Sequence, residues 1–580
     1  MAEETSLNTQ KLEDSLECDV LVAGSGAGGL ATAVVAAHLG LSVIVAEKAA
    51  VLGGTTAVSG GWLWIPNAPH AQRAGQAESV EQVKLYLQSV LGSDYQDLML
   101  DNYLRIAPQM IDFFEQKTPV QFNAGSAVPD FFGELDGARE GWRSVTAAPF
   151  DGRELGDSLH LLRRAIPETT VAGMGIASGM DMRHFFEARS SLKSAWYVMK
   201  RLSRHIYDLC TSGRSTQLVN GNALAARLIA AAQQVGVRFI TSAPVTQLEL
   251  TEQRVTGALL QTPTGLVQVK AKQAVVLAAG GFPHDAARQA QLFTHVKLHH
   301  SPHHSAAPRS NTGDGLRLGE SVGGVVDTSL SSAGAWSPVS LIPRQDGRLG
   351  RFPHLVERGK PGILAVRANG KRFTSEANPY HRFINDLIAA TPQGEPVRCW
   401  LICDHRFIRR YGLGAVKPAP FALRSWIKKG YLKQAKNWAQ LAQQCGIDAA
   451  TLERTVQSHN ASASTGQDPE FHKGHNLYQR VAGDAKNKPH PNLAPLLQAP
   501  FYAVEVVPGS LGTFAGLMTN EKAQVLDQQS QPIRGLYAVG NDMNSIMRGH
   551  YPSGGITLGP AMAFGYQAAQ HIAEQAKEER

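Results

Sequence analysis

The first residues able to do chemistry are glycines. Gly24-Ser25-Gly26-Ala27-Gly28-Gly29 comes directly after the apolar run Asp19-Val20-Leu21-Val22-Ala23, and an alanine-rich stretch continues to about Leu39. Gly24 permits a tight turn, Gly26 lets the backbone approach a pyrophosphate, and Gly29 allows close packing of a helix on a strand. A diphosphate would lie on the unpaired N–H groups at the start of that helix, around Ala27 and Gly28, where the helix dipole also favours an anion. Glu47 ends the next apolar segment, Ser42 to Ala46, and is placed to accept hydrogen bonds from ribose hydroxyls. The spacing predicts a dinucleotide cradle.

Such a cradle needs a strand–turn–helix–strand unit beneath it. Beyond the first two strands, the pattern predicts a helix over Asn222 to Val235 and strands at Arg238-Phe239-Ile240 and Val245 to Leu250. Ala274 to Ala279 is another apolar strand, closing in Gly280-Gly281. Gly535-Leu536-Tyr537-Ala538-Val539-Gly540-Asn541 again reads as a strand entering a glycine turn, and a last helix begins near Gly559 and passes Tyr566. Between Asp327 and Asn492 the pattern changes to irregular loops, prolines and amphipathic helices. The expected fold class is α/β: a discontinuous Rossmann-type cofactor domain, residues 18–326 and 493–580, with an inserted α+β catalytic or capping domain, residues 327–492.

Composition narrows the partners. A chain of 580 residues exceeds one compact core, and 43% hydrophobic with 18% charged residues is a globular composition. The net charge of +7 is small for this length, so no nucleic-acid partner is expected. The basic run from Arg424 to Lys436, interleaved with Trp426 and Tyr431, is expected to be a solvated helix face. Cys18, Cys210, Cys399, Cys403 and Cys445 are few and scattered, as reduced thiols of a cytoplasmic protein would be. Five histidines between His295 and His304 lack acidic or cysteine companions and are expected in a polar loop, with no metal site. Met1 to Glu17 has neither a basic start nor an apolar stretch, so no signal peptide is expected. Val20 to Ala46 is uncharged and long enough to span a bilayer, but its glycines and its strand–turn–helix–strand pattern predict a buried βαβ unit and no transmembrane segment.

The residues after Glu47 point to a flavin. Lys48 leads into Leu52-Gly53-Gly54-Thr55-Thr56 and then Ser59-Gly60-Gly61-Trp62. With Ala278-Ala279-Gly280-Gly281-Phe282, Asn311-Thr312-Gly313-Asp314-Gly315 and Gly540-Asn541, in that order, the chain resembles the fumarate reductase and succinate dehydrogenase flavoprotein superfamily. The resemblance implies non-covalent FAD, held by Gly24, Gly26, Ala27, Gly28, Gly29, Glu47, Lys48, Gly54, Thr55, Thr56, Ser59, Gly60 and Gly61. Further on it implies Val245, Gly280, Gly281, Asp314, Gly540, Asn541, Thr557 and Leu558.

Three further stretches, Ser59 to Pro66, Pro508 to Thr513 and His550 to Met562, look like the 3-ketosteroid dehydrogenase branch. The resemblance is thin between Ala124 and Ser212. It implies desaturation of the α,β bond of a ring ketone, with Tyr551 and the Gly555 N–H on the ketone oxygen and Tyr380 as the base. Fixed donors are needed because a ketone α-proton is weakly acidic, and tyrosine needs help to act as a base at its ordinary pKa of about 10. Phe131 stands where the branch has a further tyrosine. Ser553 is similar to a serine of the Δ4-(5α) steroid dehydrogenases and is a second candidate proton acceptor. The expected partners are an apolar cyclic ketone and an electron acceptor of unknown identity. The alternatives are a Δ4-(5α)-type or cyclohexanone-acid dehydrogenase, a fumarate-type reductase, in which Tyr380 and Pro552 would replace the required arginines, and a flavin-binding protein without turnover.

Overall fold

The structure, a computed structural model, describes residues 14–188 and 191–579. The first strand, Ser15–Ala23, is apolar through Val20–Ala23 because it is covered on all sides. It pairs in parallel with Val43–Ala46 on one edge and with Gly265–Leu277 on the other, so that Val22 faces both Val45 and Val276. Arg238–Ile240 extends the sheet on one flank, and Pro532–Ala538 then Gln524–Leu526 extend it on the other. A sheet of eight strands thus takes its centre from the beginning of the chain and one flank from the end. Val245–Thr251 and Arg254–Thr262 form an antiparallel extension of Gly265–Leu277, of which only the first strand is legible in the sequence.

The turn after the first strand is set by steric exclusion. Gly24 has φ +115°, and a Cβ there would lie 2.2 Å from the Ala278 carbonyl oxygen. At Gly29 a Cβ would lie 2.2 Å from the Gly24 carbonyl oxygen, so the helix Ala27–His38 rests flush on the sheet. The last helix, Leu558–Glu578, crosses the first with Gly565 against the Gly28 carbonyl.

A second sheet has six strands, all antiparallel: Gly334–Pro343, Leu349–Pro353, Ile363–Val366, Cys399–Cys403, Lys433–Ala435 and Phe501–Thr513. Its central strand is Phe501–Thr513, which pairs with three others. The domain boundary expected at Asn492 therefore leaves the middle of this sheet outside the insertion. The proline and glycines of Pro508–Thr513 hide a strand that is largely buried and shows no alternation. The stretch expected to be irregular likewise contains strands such as Cys399-Trp400-Leu401-Ile402-Cys403, buried throughout. The insertion begins and ends at one place: Val326 bridges Leu517, the Asp327 N–H donates to the Gly516 carbonyl, and the Met518 N–H donates to the Val325 carbonyl.

Two local expectations change. The histidine stretch is not a polar loop: His295 and His299 are buried, His295 Nε2 lies 3.1 Å from His303 Nδ1, and burial pushes His295 down to about 3. The basic run divides into a helix, Arg424–Lys428, and the edge strand Lys433–Ala435, with Tyr431 buried between them. Helices Met180–Glu187 and Leu192–Ser212 pack on each other in the stretch where no motif was legible.

A buried ionic cluster fixes the loop that leads to Tyr380. Arg372 holds Glu376 through two hydrogen bonds, of 2.9 and 3.0 Å, and Asp468 through two more, while Lys473 lies 3.3 Å from Glu376. Despite burial, these cations hold Glu376 down at about 2 and Asp468 well below the usual carboxylate range. Both carboxyls titrate lower in the folded chain than in the unfolded one, so their contribution is present above about pH 4.5 and is lost as pH falls towards 2. In denaturant titrations Glu376→Gln is expected to cost about 3 kcal/mol at neutral pH and to flatten stability across that acid window.

Candidate active site

A cavity of about 500 Å³ is lined by residues from both sheets and the loops around them. In one limb the Gly24–Gly29 loop presents the start of the helix Ala27–His38. Gly26 is that helix's N-cap, and no side chain covers its first N–H groups apart from the bond from Ala27 N to Thr56 Oγ1 at 2.9 Å. A Cβ on Gly26 would have no neighbour nearer than 3.8 Å, so it would project into the cavity and not into the protein. Glu47 is buried at the end of its strand and accepts from Ser25 N, Ser25 Oγ and Ala49 N. Lys48 pairs with Asp314 at 2.7 Å and donates to Thr312, which ties two distant loops together at the rim. Anion-binding amides, an acidic residue one strand away and room for a backbone approach fit the adenosine diphosphate half of FAD.

All the cofactor residues expected from the sequence line this cavity, with one exception. Gly281 lies under the wall: its N–H donates to Asp542 Oδ1 at 2.8 Å, and a Cβ would meet Thr513 Oγ1 at 2.1 Å. Its glycine is required by the turn below the site.

The other limb holds Tyr380, Tyr551 and Gly555. Tyr380 is the first residue of the helix Tyr380–Ala390, after Pro379 at the N-cap, a position where the helix dipole favours negative charge. Its ring meets that of Tyr551 edge-on at 5.0 Å. Gly555 has φ +104°, and a Cβ would lie 2.6 Å from Trp64 N, so no other residue keeps this backbone. Its carbonyl accepts from Trp64 and Gly559. Burial pushes Tyr551 up to about 12, moderated by the hydroxyls of Tyr380 and Thr557. Burial, then Tyr551, raises Tyr380 well above its ordinary value, and the Arg358 charge opposes the rise. The Arg358 guanidinium is itself buried and donates to the carbonyls of His354, Glu376 and Asn378.

Ser553 does not line the cavity. It is buried beside the Asp130 carboxylate, close enough to favour its charge but without a hydrogen bond of good geometry. Asp130 in turn binds Arg143 at 2.6 Å and Trp64 Nε1 at 3.0 Å, and this cluster fixes the Phe131 loop, whose N–H donates to the Pro552 carbonyl. Phe131 touches three tyrosine rings: it stacks on Tyr551, meets Tyr380 edge-on, and lies 4.6 Å from Tyr478. Tyr478, on the helix Leu477–Ala482, lines the cavity and is the residue that sequence reasoning misses. No motif surrounds it; the one available signal is the gap left by Phe131.

The chain matches the model of the FAD binding domain family over residues 19–558. It belongs to that family. The flavoprotein is 38% identical over 574 residues to the 4-oxocyclohex-2-ene-1-carboxylate 5-dehydrogenase of Sinomonas cyclohexanicum, covering 98% of this chain and 96% of that one. It is 33% identical to the 3-oxosteroid 1-dehydrogenase of Mycobacterium tuberculosis strain H37Rv, over 97% and 99% of the two chains. Among solved structures it resembles the 3-ketosteroid Δ1-dehydrogenase of Sterolibacterium denitrificans in complex with 1,4-androstadiene-3,17-dione. That match has a TM-score of 0.87, 35% identity, and coverage of 96% of this chain and 100% of the other. The flavoprotein is thus an FAD-dependent oxidoreductase of the ketosteroid dehydrogenase branch.

Two substitutions separate cofactor binding from folding. Gly26→Val has space in the protein but fills the diphosphate approach, so it should purify folded and without FAD. Gly24→Ala collides with the Ala278 backbone and should lower yield and melting temperature. Acid precipitation of the wild type should release FAD into the supernatant; yellow colour that stays with the pellet would mean a covalent link.

Proposed function

We propose that the flavoprotein desaturates a 3-oxosteroid at the bond next to the ketone, by a 3-oxosteroid 1-dehydrogenase-type reaction, in the cytoplasmic compartment. The observation that carries the choice of substrate is the charge of the cavity wall. The charged residues that line the cavity, Glu47, Lys48 and Asp314, all stand in the cofactor limb. Around the tyrosines the wall is apolar, with Phe131, Ile166, Leu355, Val356, Val481 and Leu511, and among the described residues no cation faces it. A ring bearing a carboxylate would bury that charge unpaired, at a cost of several kcal/mol. The wall therefore favours an uncharged polycyclic ketone over the oxocyclohexene carboxylate of the relative with higher identity.

In this reading the Tyr551 hydroxyl and the Gly555 N–H hold the ketone oxygen. Tyr551, raised to about 12, stays protonated and able to donate at every working pH. Tyr380 takes the α-proton, its phenolate favoured by the Arg358 charge and by the helix N-terminus. Bound FAD supplies the hydride acceptor for the β-carbon. Tyr478 offers the hydroxyl that Phe131 lacks and passes the proton from Tyr380 towards the mouth of the cavity. Ser553, behind the wall, has no part in proton removal, which favours Δ1 over Δ4 regiochemistry.

Under anaerobic conditions a 3-oxosteroid should bleach the flavin much faster than 4-oxocyclohexanecarboxylate; the reverse order would overturn the choice of substrate. Tyr551→Phe should keep its FAD and slow bleaching by about 10²–10³-fold. Tyr380→Phe should slow it by about 10²–10⁴-fold. Because Tyr380 titrates above its ordinary value, the wild-type rate should climb with pH up to and past about pH 10. Tyr380→Phe should abolish that slope, and Tyr478→Phe should reduce it with a smaller loss of rate. A plateau below about pH 8 would assign the base to another group.

A further inference from the structure

The helix Leu192–Ser212 is built inside out. The side it turns to the protein carries Ser194, Arg201, His205 and Asp208, all buried. Arg201 binds Asp181 of the neighbouring helix at 2.7 Å, and Asp208 accepts from the Thr216 N–H at 2.8 Å. The side it turns outward carries Leu192, Trp196, Met199, Ile206, Tyr207 and Leu209, with Leu192 92%, Trp196 66% and Ile206 62% exposed. Met180 and Phe186 of the adjoining helix Met180–Glu187 add to the same exposed apolar surface. A surface of this kind on a globular protein marks a contact site.

Charge and position specify the occupant. Residues 180–214 contain seven Lys or Arg against three Asp or Glu; Arg201, Arg183 and Arg204 pair with Asp181, Glu187 and Asp151, and Arg214 donates to the Leu159 and Leu162 carbonyls. Lys193 and Lys200 are exposed beside the apolar residues. Bulky aliphatic residues with Trp and Tyr, edged by lysines, form the pattern of a helix that lies in the surface of an anionic bilayer. Among the described residues no helix is long and apolar enough to cross a membrane, so attachment would be to one leaflet. The apolar helices also adjoin the mouth of the cavity. Ser178, two residues before Met180, is exposed and lines the cavity, as do Val356 and Val481, 49% and 54% exposed. Lys486, just beyond the helix that carries Val481, pairs with Glu187 at 2.7 Å.

We propose that the Met180–Glu187 and Leu192–Ser212 helices seat the protein on an anionic phospholipid surface, so that an apolar substrate passes from the lipid into the cavity past Ser178, Val356 and Val481. The attachment stands independently of the reading of the active site; the passage of substrate rests on it.

The test is flotation of the FAD-loaded, full-length protein with vesicles of phosphatidylglycerol and phosphatidylethanolamine. Wild type should float with them and stay behind with phosphatidylcholine vesicles at high salt. Leu192→Ser/Trp196→Ser/Met199→Ser/Ile206→Ser should abolish binding. Lys193→Glu/Lys200→Glu should weaken it on the order of tenfold. Both variants should keep full FAD and the wild-type rate of flavin reduction by dissolved substrate, which separates a failure of attachment from a failure of the proposed chemistry. With substrate loaded in the vesicles, both should turn over more slowly than wild type. Wild type that does not float overturns the proposal, as does a dimer in light scattering that the serine variant splits, because the face would then belong to a second copy of the chain.

Discussion

The whole molecule depends on one close approach of backbones. Gly24, Gly29 and the carbonyl of Ala278 meet with no room for a single Cβ, and that contact sets the first helix on the parallel sheet with its N-terminus aimed into the cavity. The last helix lies against the first through Gly565 and Gly28, so the C-terminal segment is located by the same contact. Gly555, whose carbonyl is held by Trp64 and Gly559, is delivered to its place by that helix. The place of Tyr551 and Gly555 thus draws on a sterically closed junction, while the hydrogen-bonded cluster around Arg372 fixes the loop that leads to Tyr380.

The two limbs of the cavity work by opposite means. The cofactor limb is polar and uses main-chain N–H groups, which carry no side-chain entropy and cannot be protonated away. The other limb is apolar and uses phenols whose acidity is lowered by burial. Burial raises both phenols; Tyr551 raises Tyr380 further, whereas the Tyr380 hydroxyl moderates the rise at Tyr551. The Arg358 charge and the place at a helix N-terminus oppose the rise at Tyr380, and these two features suit it to the proposed role of base.

The cofactor limb is legible in the sequence because its residues are local. Glycines at fixed offsets, a strand before them and an acidic residue after the next strand are a one-dimensional record of a three-dimensional cradle. Tyr380 and Tyr551 are legible only by resemblance, since nothing in their spacing brings positions so far apart together. Gly281 and Ser553, which do not line the cavity, sit in stretches rich in small residues, where turn-forming and ligand-facing roles look alike in sequence. Tyr478 is positioned by a packing contact with Phe131 that leaves no trace in the residues beside it. The strand Phe501–Thr513 escapes notice because burial of both faces removes the alternation that marks a strand.

The single point of attachment of the inserted domain has a thermodynamic consequence. Val326 and Leu517 are already partners in the cofactor fold, so the intervening chain is a closed loop whose ends are pinned together. The entropy of closing such a loop grows only logarithmically, about 0.6 kcal/mol for each doubling of its length. The cofactor fold is therefore almost indifferent to how much chain is looped out between these two residues. The roof over the flavin can be enlarged, trimmed or exchanged in the course of descent, while the floor that holds the flavin stays the same.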